Sequence, residues 1–266
     1  MLFHLMWIPA ALTTLGVFAV WDAISKWWIV PILLGAFVFW NLVYLAYVFI
    51  ICKRVDMTRE YPTIDPFYHK NMMLFIDWLL TACGVTYTLE GREWLPEEGE
   101  FLLVSNHRSA FDPLVTLMAL RDVPLAFISK PENITKLFLG AAAWRCCFLP
   151  IDRENARNAL KTINEAAERM KNHACSFAIY PEGTRTRDGD LHEFHPGSFK
   201  TAQKARVPVV VMATEGSETA LRGLFFKRNT VRLTILETID AETVKEYKTV
   251  WLAERSHDLI LELTGH

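Results

Sequence analysis

Two long apolar runs open the chain. Residues 1–21 hold no Asp, Glu, Lys or Arg, and residues 27–52 hold none either; only Asp22-Ala23-Ile24-Ser25-Lys26 separates them. A bilayer core is spanned by roughly 20 apolar residues, so each run is long enough, and the short connection predicts a transmembrane helical hairpin over residues 1–52. Pro9 and Pro31 stand near the starts of their runs, where proline disturbs a helix least. Trp7, Trp21, Trp27, Trp28, Tyr44 and Tyr47 include candidates for interfacial anchors. A cleaved signal peptide fits the first run less well, because no basic stretch precedes it and a second apolar run follows at once. A third stretch, 67–83, mixes Met72, Met73, Phe75, Ile76, Leu79 and Leu80 with His69, Lys70, Asn71 and Asp77. That pattern predicts an amphipathic helix, lying at the membrane interface or packed on the following domain. With its linker it occupies residues 53–84.

From residue 85 the pattern changes to short apolar runs alternating with longer amphipathic ones. Strands are expected over 85–90, 101–105, 125–129, 148–151, 176–180, 207–212 and 231–236. Helices are expected over 113–120, 134–144, 154–172, 198–204 and 241–263. This alternation predicts an α/β domain over 85–266, a mixed, mostly parallel sheet with helices on both faces. The run Val207-Pro208-Val209-Val210-Val211 fits a strand buried on both sides, with Pro208 near its start.

Charge adds orientation. The chain has 28 Lys and Arg against 30 Asp and Glu, a net −2, and 52% of its residues are hydrophobic. Residues 1–51 contribute only Asp22 and Lys26, so the rest of the chain has an ordinary globular composition. No polybasic tract points to nucleic acid as a partner. Lys53, Arg54 and Arg59 follow the second apolar run, against Lys26 in the connection. By the positive-inside rule this bias expects the main domain to face the cytoplasm. The five cysteines show no zinc spacing, and adjacent Cys146 and Cys147 are poorly placed for a mutual disulfide. Reduced, mostly buried thiols are expected.

The candidate chemistry lies where the expected strands end. His107 follows the strand ending at Ser105, Lys130 follows Ser129, Arg153 follows Ile151, and Glu182 follows Tyr180. Open α/β sheets collect ligands at the carboxyl ends of their strands. His107 and Asp112 are five positions apart, too far to face one another on a regular helix, but a turn after the strand could join them. Histidine is the natural base near neutral pH, and a carboxylate on its second ring nitrogen would orient it. Asp112 before Pro113 also reads as a helix cap. In Tyr180-Pro181-Glu182-Gly183-Thr184-Arg185 the glycine lets backbone approach an anion, and Arg185 can grip a phosphate. A polar turn with a surface ion pair is the plainer reading. Lys130 and Arg153 could likewise be solvated cations, and Ser105 and Ser109 could be nucleophiles. No Gly-x-Ser-x-Gly, Walker loop or dinucleotide fingerprint is present, and His192 and His195 are three apart rather than the four of a zincin motif.

Four blocks in order resemble the glycerolipid acyltransferase superfamily, and within it the 1-acyl-sn-glycerol-3-phosphate acyltransferases. These are Asn106-His107 through Asp112, Ser129-Lys130 with Phe148 to Arg153, Tyr180 to Arg185, and Val207-Pro208-Val209-Val210. The third is usually written with Phe where this chain has Tyr180. The stretch Met212-Ala213-Thr214-Glu215-Gly216 is also less typical, which leaves the acyl-chain and donor pockets open. The resemblance implies transfer of a fatty acyl group from a thioester to the sn-2 hydroxyl of lysophosphatidic acid, forming phosphatidic acid. His107 would be the general base and Asp112 its orienting group. Lys130, Arg153 and Arg185 would hold the acceptor phosphate, with Glu182, Gly183 and Thr184 completing that substrate-binding loop. It implies no metal and no cofactor; coenzyme A or acyl carrier protein would bring the acyl group, and membrane lipids would be partners. Glycerol-3-phosphate or another lysophospholipid as acceptor, a thioesterase or lysophospholipase, and a non-catalytic membrane adaptor are the alternatives.

Overall fold

The computed structural model describes residues 2–21, 25–135, 139–186, 190–219 and 229–265. The apolar leader forms α1 (Leu2–Leu5), α2 (Trp7–Val20) and α3 (Ile29–Lys53). The spans Leu2–Val20 and Lys26–Lys53, of 19 and 28 residues, are long and apolar enough to cross a membrane, and only 11% of the tested window in each is buried within the protein. Such low burial is unlike the core helix of a soluble domain, and the chain is membrane-associated through this hairpin. Stacking of Trp7 on Phe37 (centroids 4.0 Å apart) and a bond from Trp40 Nε1 to Thr13 Oγ1 (3.0 Å) hold the two spans together. Of the expected connection, Asp22 to Ile24 lie outside the described residues.

Helix α4 (Pro66–Ala82) starts where Asp65 accepts from the backbone of Phe67 and Tyr68, with Pro66 in the first turn. Its Met72, Phe75, Ile76 and Leu80 are buried in the core shared with the α/β domain. Its polar residues turn the other way. Asn71 accepts from the Tyr47 hydroxyl (2.9 Å), Trp78 donates to Asn41 (2.8 Å), and Asp77 accepts from the Leu2 backbone (2.9 Å). The helix is therefore a clasp between hairpin and domain.

Among the described residues the domain carries seven strands, β1 (Val85–Glu90), β2 (Leu102–Ser105), β3 (Leu125–Ser129), β4 (Leu149–Pro150), β5 (Ser176–Ile179), β6 (Val209–Glu215) and β7 (Asn229–Ile239), in the order β1-β7-β6-β2-β5-β3-β4. Every pairing is parallel except β6 with β7. The helices that follow are α5 (Asp112–Ala119), α6 (Pro131–Thr135), α7 (Gly140–Arg145), α8 (Ala156–Lys171), α9 (Lys200–Ala205), α10 (Ala241–Glu246) and α11 (Thr249–Thr264). The central strands β2 and β5 are buried along their whole length, which is why they read as unbroken apolar runs.

Two expected helices are divided. The helix expected over 134–144 becomes α6 and α7, with Lys136, Leu137 and Phe138 outside the described residues. Gly140 packs so close to the Ile134 carbonyl that a Cβ would stand 1.8 Å from its oxygen. The helix expected over 241–263 breaks at Tyr247 and Lys248, both extended. Gln203 of α9 donates to the carbonyls of Val244 and Tyr247 (3.1 and 2.7 Å), satisfying acceptors that the end of α10 leaves unpaired.

Candidate active site

Parallel strands put their carboxyl ends on one edge, and the sheet order sets what comes next to what. Along that edge lie His107 after β2, the 180–185 turn after β5, Lys130 after β3 and Arg153 after β4. The register is tight between the last pair, since the Ile151 amide donates to the Ser129 carbonyl (2.8 Å).

Asn106 holds the end of β2. Its side-chain amide donates to the Thr214 carbonyl (2.9 Å) and its side-chain oxygen accepts from the Thr214 amide (2.7 Å). The side chain thus continues the pairing with β6 after the main chain has turned away, and His107 leaves the sheet at a defined point. Ser105 Oγ is buried within hydrogen-bond distance of Thr214 Oγ1 (3.1 Å). Ser109 Oγ accepts from the Phe111 amide (3.2 Å).

The turn from 107 to 112 closes on one carboxylate oxygen. Asp112 Oδ2 lies 2.8 Å from His107 Nδ1 and accepts from the amides of Arg108 and Ser109, both at 2.7 Å. Asp112 is fully buried, whereas the His107 side chain is one-fifth exposed (20%). The carboxylate bonds backward to the turn, while Phe111 occupies the cap position of α5. Geometry that brings a buried acid to one imidazole nitrogen leaves Nε2 free to meet a hydroxyl. The Tyr180 ring lies flat on the imidazole, 4.2 Å away at 10°. Burial, and then the Asp112 carboxylate, keep the Tyr180 phenol protonated far above its ordinary pKa.

Glu182 faces inward. Its carboxylate accepts from the His107 amide (2.5 Å), the Thr186 hydroxyl and the His192 amide (3.4 Å), and the Thr186 amide donates to the His107 carbonyl (2.8 Å). This buried acid fastens the loop after β5 to the backbone of the histidine. Its Gln variant offers one acceptor oxygen instead of two and sets an N–H2 against a donor. Glu182→Gln should therefore destabilise the protein by about 1–3 kcal/mol, read as a lowered unfolding midpoint in detergent, with loss of activity following.

Gly183 has φ +77°, in the left-handed region. A Cβ there would meet Arg153 Nη1 at 3.4 Å, so the turn and Arg153 do converge. Burial lowers the Arg153 pKa from its ordinary value, although by accessible surface the residue as a whole is exposed. Among the described residues it has no acidic partner. Lys130, Thr184 and Arg185 share the edge and are exposed, and no hydrogen bond or ion pair joins their side chains to other described residues. Sequence reasoning passed over three residues: Asn106 as the anchor of the strand end, Tyr180 as the imidazole's stacking partner, and His195, considered only as a metal ligand. For Tyr180, the ring immediately before the Glu182 turn was the available signal.

Residues 86–215 match the family described as Acyltransferase. The match covers 130 of the chain's 266 residues. It is 28% identical over 188 residues to the bovine (Bos taurus) 1-acyl-sn-glycerol-3-phosphate acyltransferase alpha, covering 69% of this chain and 63% of that protein. It is 29% identical over 186 residues to the probable 1-acyl-sn-glycerol-3-phosphate acyltransferase of Mycoplasma pneumoniae, covering 66% of this chain and 68% of that protein. The chain thus spans less than two thirds of the length of the bovine relative. The crystal structure of the 1-acyl-sn-glycerophosphate (LPA) acyltransferase from Thermotoga maritima shares the fold, with a TM-score of 0.56 at 22% identity over 85% of this chain and 91% of that one. The matched segment contains every residue of the edge just described.

Proposed function

We propose that this protein is an acyltransferase that moves a fatty acyl group from a thioester of coenzyme A or acyl carrier protein to the sn-2 hydroxyl of lysophosphatidic acid, giving phosphatidic acid. The observation that carries this reading is the His107–Asp112 contact of 2.8 Å on the same sheet edge as Arg153, a cation with no acidic partner among the described residues. His107 Nε2 takes the proton of the acceptor hydroxyl as its oxygen attacks the thioester carbonyl. The tetrahedral intermediate then collapses, the C–S bond breaks, and the imidazolium returns the proton to the departing thiolate. Asp112 holds the tautomer that leaves Nε2 unprotonated at the start and stabilises the imidazolium that forms. Arg153, with Lys130 and Arg185 on the same edge, binds the acceptor phosphate, and Gly183 lets the turn approach Arg153 closely. No residue of this scheme calls on a metal or cofactor.

The relatives' names support the acceptor, and the apolar hairpin supports a substrate that resides in a bilayer. Lys53, Arg54 and Arg59 support a catalytic domain, residues 85–266, on the cytoplasmic side.

An acceptor panel tests the reading. Purified full-length protein in lipid nanodiscs, given labelled acyl-coenzyme A and acyl-acyl carrier protein in turn, should transfer label to lysophosphatidic acid. It should do so much faster than to glycerol-3-phosphate or lysophosphatidylcholine. Release of free fatty acid at the same rate with and without acceptor would mark a hydrolase instead.

A further inference from the structure

The run His192-Glu193-Phe194-His195 fails as a metal motif, yet it does not lie idle on the surface. The His195 amide donates to the Pro181 carbonyl (2.9 Å), and the Ser198 amide donates to the His195 carbonyl (3.0 Å). Phe194 is buried and meets His257 of α11 edge-on, with centroids 5.4 Å apart. Backbone bonds and a buried ring on the preceding residue thus fix the direction in which His195 leaves the chain, although its own side chain is exposed. That direction is toward Gly183. A Cβ on Gly183 would stand 3.2 Å from both Nε2 and Cδ2 of His195 and 3.4 Å from Arg153 Nη1. The polar edge of an imidazole and the tip of a guanidinium therefore converge on the same glycine, so closely that even a Cβ there would be crowded. No hydrogen bond or ion pair ties His195 to another described side chain.

We propose that His195 binds the phosphate monoester of the acceptor together with Arg153, and so is a specificity-determining residue for a compact, unshielded phosphate. This rests on the reading of the site as an acyltransferase acting on a phosphorylated alcohol. Nε2 donates a hydrogen bond to one phosphate oxygen while Arg153 meets another. A phosphodiester headgroup presents a bulkier and less charged group to these two converging donors, and is disfavoured.

The test uses the full-length protein in nanodiscs with lysophosphatidic acid as the varied substrate, comparing wild type with His195→Ala and His195→Lys. The alanine variant should raise KM for lysophosphatidic acid about tenfold, the loss of one hydrogen bond to a charged group, with kcat within about twofold and an unchanged unfolding midpoint. Lysine, also a donor to phosphate, should restore most of the affinity. An unchanged KM in the alanine variant, or a raised KM that lysine leaves uncorrected, overturns the assignment. Wild-type turnover of lysophosphatidic acid tests the parent reading separately. If wild type transfers no acyl group to it, inorganic phosphate titrated calorimetrically against the three proteins decides the role of His195. Weaker binding by the alanine variant, corrected by lysine, upholds the role; equal binding by wild type and the alanine variant overturns it.

Discussion

His107→Ala should lower kcat for acyl transfer by about 10²–10⁴-fold while the protein remains folded and still binds acceptor. The side chain is one-fifth exposed and its ring makes one hydrogen bond, to Asp112. The contacts that secure the loop run instead through the backbone amide and carbonyl of residue 107, to Glu182 and Thr186. An alanine keeps both. Removing the imidazole therefore takes away a proton acceptor with little loss of scaffold, and the stacked face of Tyr180 is the main packing surface left open. Kinetics on the purified variant, beside an unfolding scan, would separate the two effects. Turnover equal to wild type would remove His107 from the mechanism.

Asp112→Asn should be nearly as damaging, and for a different physical reason. Among the described residues, the three hydrogen-bond contacts of Asp112 converge on Oδ2, whereas Oδ1 is buried without a partner. An asparagine can put its carbonyl oxygen where Oδ2 lies and its N–H2 where Oδ1 lies, keeping the turn and its two amide bonds. What disappears is the negative charge beside the imidazole. We expect kcat to fall roughly 10²- to 10⁴-fold, with a smaller fall in stability than in Asp112→Ala, which leaves the Arg108 and Ser109 amides facing an empty cavity. Equal activity for the aspartate and asparagine proteins would reduce Asp112 to a structural fastener of the turn.

Much of this site was legible because its parts are local. His107, Lys130 and Arg153 each follow an apolar strand by one to three residues, so strand period and strand end place them together. The α/β class came from the same alternation. The parts that were not legible depend on distant partners. Glu182 stands near Arg185 and reads as half of a surface ion pair; the amide it accepts belongs to a residue 75 positions earlier. The helix expected over 134–144 is described as α6 and α7, with the Ile134 carbonyl packed against Gly140, a contact that the sequence does not announce. The reversal of β7 against β6, while it runs parallel to β1, leaves no mark in composition. His195 could have been singled out only by knowing that its segment folds back on Pro181.

On the proposed function, the clasp formed by α4 has a consequence for how the protein meets its acceptor. Several polar bonds among the described residues and a shared core join the hairpin to the domain, so the connection is stiff, unlike a flexible tether that swings freely. With the hairpin in the bilayer, the catalytic edge is carried at a set height and attitude over the lipid surface. Encounter on the proposed reading is then a two-dimensional search. Velocity should follow the mole fraction of acceptor among the surrounding lipids, and diluting the acceptor with inert lipid should slow the enzyme even when its bulk concentration is unchanged.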